Sequence, residues 1–92
     1  MSAVLFKGQD YRLILETGIS LAGATLVKAI YTKPSGDKGE WTGTVDGDDI
    51  FYDVTAVQND MDGNWTFQSY VEIGGKVYFG ETKIIKISNN LR

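Results

Sequence analysis

The groups able to do chemistry in this chain are almost all carboxylates. Six aspartates, Asp46, Asp48, Asp49, Asp53, Asp60 and Asp62, fall within residues 46–62, and the chain has no histidine and no cysteine. That absence rules out Ser-His-Asp and Cys-His nucleophilic arrangements, as well as Cys/His zinc centres. A carboxylate pair on its own serves glycoside hydrolysis, one acid protonating the leaving oxygen while the other acts as base or nucleophile. These aspartates, however, cluster in turn sequences, where the side chain bonds nearby backbone N–H groups. Neither GxGxxG nor GxxxxGK[ST] occurs, so no phosphate-cradling loop is encoded. The expectation is a protein that is not an enzyme and takes no small-molecule substrate.

Calcium is the one metal the residue types suggest. Asp60, Asp62 and Asn64 alternate around Gly63 and offer hard oxygen ligands. The segment departs from an EF-hand loop: its glycine comes early and no glutamate closes it. Turn chemistry is the simpler account, so no metal or other cofactor is expected, with these three as weak candidates.

Rings are the other resource. Residues 62–80, DGNWTFQSYVEIGGKVYFG, hold five: Trp65, Phe67, Tyr70, Tyr78 and Phe79. Trp65, Phe67 and Val71 share one face of an extended strand and read as core. Tyr70 falls on the opposite face, beside Gln68 and Glu72. If Gly74-Gly75 is a two-residue turn, Tyr70 meets Phe79 and points outward with Val77 and Phe79. A three-residue loop instead buries Phe79 and turns Tyr78 out, since a one-residue slip exchanges faces. Tyr70, Tyr78, Phe79 and Phe51 are therefore the interface candidates, tyrosine being enriched where proteins meet.

The elements that must hold these side chains are strands. Helix-period segments are missing, eleven glycines punctuate the chain, and turn signals recur every 8–12 residues. The pattern predicts strands at 10–17, 24–32, 40–45, 49–54, 65–73, 76–83 and 84–87, with a frayed tail at 88–92. Asp46-Gly47 predicts a hairpin. A two-residue loop sets Trp41 against Tyr52, and a four-residue loop sets Val45 against Ile50. Either way Trp41, Val45, Ile50, Tyr52 and Val54 face inward and Phe51 faces away. About seven short antiparallel strands without helices is an all-β sandwich pattern, in a single domain spanning residues 1–92.

Net charge is −3, with nine scattered lysines and arginines, which argues against nucleic acid as a partner. The apolar run Ala3–Phe6 is too short for a secretory signal, and no stretch approaches the roughly 20 apolar residues of a membrane span. Synthesis in a cytoplasm, with no signal peptide and no membrane contact, is expected.

The run GISLAGATLVKAIYTKPSGDKGEWTGTVDG, followed by DMDGNWTFQSYVEIGGKVYFGET, resembles the immunoglobulin-like sandwich modules of tailed-phage virions, above all the N-terminal domain of baseplate upper proteins. The matching residues are Leu21, Gly23 and Ala24; Lys33, Pro34 and Gly36; Val45, Asp46 and Gly47; Asp60, Gly63 and Trp65; and Gly74 with Gly75. They span about Phe6 to Ile87. The resemblance implies a single immunoglobulin-like β-sandwich and a virion structural protein, in baseplate, tail, neck or capsid decoration. Its partners would be other virion structural proteins, met in many copies. The alternative from a different class is a carbohydrate-binding or adhesin-type module, with sugars stacking on Tyr70 between Gln68 and Glu72.

Overall fold

The computed structural model describes residues 4–89, and among them it is all-β, with no helix. Nine strands form: β1 (Leu5–Phe6), β2 (Tyr11–Glu16), β3 (Ala24–Thr32), β4 (Lys38–Thr42), β5 (Thr44–Asp46), β6 (Asp49–Val54), β7 (Gly63–Ile73), β8 (Lys76–Phe79) and β9 (Lys83–Ser88). The larger sheet has the order β1-β9-β7-β3-β4, with β8 also on β7; the smaller is β2-β6-β5. No helix is long and apolar enough to cross a membrane among the described residues.

The two sheets enclose the core. Leu13, Leu15 and Val54 of the smaller sheet pack against Ala29, Trp65, Phe67 and Ile87 of the larger one. Strict alternation puts them there: in β7, Trp65, Phe67, Ser69 and Val71 are buried, and the residues between them are not. Trp65 and Phe67 are 1% and 0% exposed, so these two of the five rings in residues 62–80 belong to the core. Burying two such rings contributes several kcal/mol at about 25 cal/mol per Å². The indole N–H of Trp65 donates to the Met61 carbonyl at 2.8 Å, which removes the cost of burying it unpaired.

The predicted strand 40–45 is two strands in two sheets. β4 pairs with β3, then the chain crosses at Gly43 and β5 pairs with β6. Glycine makes the crossing possible, because a Cβ there would collide with Cγ2 of Ile50. The hairpin after it turns at Gly47-Asp48, not Asp46-Gly47: Asp46 pairs with Asp49 and Val45 with Ile50. Gly47 takes φ 63° at the first central position, the requirement of a type II′ turn, so Asp46 stays in the ladder. Val45, expected inside, is 43% exposed because β5 is an edge strand.

The predicted strand 76–83 ends at Phe79, and β9 begins at Lys83 rather than Ile84. Tyr70 pairs with Phe79 and Phe67 with Lys83, so three steps along β7 match four along its neighbour. The extra residue is a bulge within residues 80–82, which separates β8 from β9. A Cβ on Gly80 would collide with the Ser69 hydroxyl, so the bulge is built around a close approach. Strand β7 starts at Gly63, earlier than expected, and β1 adds a parallel pairing on β9 to an otherwise antiparallel molecule. Of the expected frayed tail, Ser88 belongs to β9, while Asn90, Leu91 and Arg92 lie outside the described residues.

Candidate functional site

Strand β7 carries the site because its two faces have opposite tasks. Between the inward Ser69 and Val71, Tyr70 points outward from the larger sheet. The turn Gly74-Gly75, with φ of 56° and 78°, is the two-residue loop: both positions need φ > 0, and Ile73 pairs with Lys76. That register sets Phe79 beside Tyr70 on one side, and β3 sets Lys28 beside it on the other.

The Tyr70 and Phe79 rings meet edge to face, centroids 5.5 Å apart and planes at 75°. The Lys28 ammonium sits 5.3 Å from the Tyr70 ring centroid and donates to Glu40 Oε1 at 2.9 Å. Partial desolvation, then the neighbouring Glu72, push the Tyr70 phenol above its ordinary pKa. On this outer face Val77 is 46%, Phe79 59% and Ile84 66% exposed. Scattered exposed apolar side chains are ordinary; three on one sheet face are the informative case.

The four interface candidates do not form one surface. Tyr70 and Phe79 come together. Tyr78 pairs with Val71 and thus lies on the other face of β8. Phe51 is on the outer face of the smaller sheet under the Arg12 guanidinium, 4.2 Å from its centroid. Arg12 in turn makes a two-pronged pair with Asp53 at 2.7 and 3.2 Å and holds that carboxyl below the usual range. Ile84 and Lys28 join the Tyr70 face without having been expected. Ile84 was hidden by the bulge, which alternation alone does not reveal, and Lys28 by its plain appearance as a solvated strand lysine.

The aspartates remain apart from this face. Asp60 accepts from Lys33 Nζ at 3.1 and 3.2 Å, and Asn64 is an exposed residue of β7 paired with Lys86. Asp62 is exposed in the loop before β7. Asp46 and Asp49 close a hairpin, and Asp10 accepts the Ala56 N–H. Among the described residues no three His, Cys, Asp or Glu side chains converge in a way that would hold a metal ion.

The face therefore offers apolar area, one phenol and a lysine–glutamate pair, which suit contact with another macromolecule. Its two rings stand at 75°, not coplanar, and do not form a flat platform for a sugar ring. No family model matches this chain, and neither does any curated protein or solved structure with which it was compared.

Proposed function

We propose that this chain is a non-enzymatic structural module that works by protein–protein contact through the outer face of its larger sheet. The observation that carries the reading is the Tyr70–Phe79 pair, with exposed Val77 beside it and exposed Ile84 further along the same outer face. The strand order supports an immunoglobulin-like sandwich. The run β9-β7-β3-β4 corresponds to the G-F-C-C′ order of variable-type domains, and β2-β6-β5 to the opposing B-E-D sheet. Together with the motif order from Leu21 to Gly75, this favours a part of a tailed-phage virion whose neighbours are other structural subunits.

The test is co-purification of the tagged chain with virion structural proteins expressed beside it. Tyr70→Ser combined with Phe79→Ser is expected to abolish recovery of the partner while far-UV circular dichroism stays that of the parent. Undiminished recovery defeats the proposal. So does specific sugar binding by the lone domain on a glycan array, which would favour the carbohydrate-binding alternative.

A further inference from the structure

Every sheet edge exposes unpaired ladder groups, and four of the five here are guarded. Strand β1 is two residues long and β5 three. Strand β4 carries Lys38 and Glu40, both exposed. Strand β2 carries Arg12 and Glu16, and Lys83 Nζ takes its Ile14 carbonyl at 3.0 Å. Strand β8 is different. All four of its residues are exposed, three of them are Val77, Tyr78 and Phe79, and β7 is its only strand neighbour among the described residues.

Hydrogen-bond parity fixes which backbone groups look outward. Gly80 N–H donates to Ser69 O at 3.1 Å, continuing the β7–β8 register. Bonded and non-bonded pairs alternate in an antiparallel ladder, so Tyr78 and Lys76 bond to β7 while Val77 and Phe79 aim their N–H and C=O at the open edge.

We infer that β8 pairs with β8 of a second copy of this chain, antiparallel, making one sheet continuous across the two. A two-fold axis normal to the sheet at Tyr78 sets Val77 opposite the second copy's Phe79, and Phe79 opposite its Val77. Each of these pairs exchanges two hydrogen bonds, so all the outward groups of both residues are satisfied. The same register sets Lys76 opposite the second copy's Gly80 at both ends of the ladder. Self-complementarity in hydrogen bonds and in the Val77–Phe79 apolar pairs selects a second copy as the occupant. This deepens the protein-contact reading by naming one partner, and it uses the strand edge where that reading uses the sheet face.

The experiment is sedimentation equilibrium of the purified chain across a wide concentration range. A reversible dimer is expected, lost in Val77→Pro, which removes an outward donor but no bond to β7. Val77→Lys, which places a charge on the edge without constraining the backbone, should also lose it. The chain has no native cysteine, so Tyr78→Cys gives a clean second reading. Opposed Cα atoms at such a non-bonded pair lie about 4.5 Å apart, within disulfide range. Oxidation should yield a covalent dimer from Tyr78→Cys and not from Val45→Cys on the other sheet. A monomer at every concentration, a dimer that survives both Val77 substitutions, or equal cross-linking of the two cysteine variants would overturn the pairing. A monomer that still recovers a partner through Tyr70 would sink the edge contact alone and leave the proposed face standing.

Discussion

Trp41 and Tyr52 stack with ring centroids 4.8 Å apart and planes 13° from parallel, although one belongs to the larger sheet and the other to the smaller. Trp41 also lies 4.4 Å from Tyr31, 6.3 Å from Trp65 and 6.1 Å from Phe67, so one half-buried indole joins four rings from both layers. Gln58 donates to the Tyr52 hydroxyl at 2.7 Å and fixes that ring from the far side.

Trp41→Ala should therefore loosen both sheets together. A loss of about 3 kcal/mol is expected, the low end for truncating a large aromatic because this one is only half-buried. Urea unfolding followed by tryptophan fluorescence measures it. A double-mutant cycle with Tyr52→Leu should return a coupling of about 0.5–1.5 kcal/mol for the stacked pair. A coupling near zero would mean that the stack is incidental to stability.

The crossing at Gly43 gives a second prediction. Gly43→Ala drives a methyl into Ile50, a 1% exposed core side chain that cannot swing away. Overpacking of this kind costs about 1–3 kcal/mol. Adding Ile50→Ala to Gly43→Ala should cost less than the sum of the two single changes, because the truncation vacates the space the methyl needs. Strict additivity in chemical denaturation would argue against the collision.

Alkaline stability should depend on Tyr11. Burial pushes its phenol from 10.0 up to about 12. The folded chain then holds that proton more tightly than the unfolded one. The linked stability is complete below pH 10 and falls as pH rises from about 10 towards 12. Tyr11→Phe, with no proton to lose, should flatten the decline of the urea midpoint over that window. An equally steep decline in the variant would assign the alkaline loss to other groups.

Calcium should not stabilise the chain. Both carboxylate oxygens of Asp60 already accept from Lys33, whose ammonium also lies 5.5 Å from the Trp65 ring centroid. A cation at Asp60 would have to displace Lys33 and repel it. Thermal melting with millimolar calcium should give an unchanged midpoint, whereas an ion bound only to the folded state would raise it.

Much of this arrangement was legible beforehand, and the reason is local. Alternation in 10–17 and 65–73 reports burial directly, since each of these strands has one dry face and one wetter face. That is how Trp65 and Phe67 were assigned to the core and Tyr70 to the outside. Paired glycines at 74–75 carried the hairpin, leaving only its loop length open. Phe51 shows the limit: it was correctly read as facing away from the core, but nothing local says that Arg12, thirty-nine positions earlier, covers it.

Composition, periodicity and turn residues determined by themselves that this is a strand protein without histidine or thiol chemistry, and that Trp65 and Phe67 lie on the opposite side of their strand from Tyr70. Only the tertiary structure decided that the chain changes sheets at Gly43, that a bulge within residues 80–82 divides the last strand, and that Tyr70 and Phe79 share a surface from which Phe51 and Tyr78 are excluded. Those outcomes turn on non-local packing: a Cβ that would strike Ile50, a hydroxyl that admits only glycine beside it, and pairings between residues far apart in the chain. Alternation fixes the side a residue faces, but it is blind to what waits there.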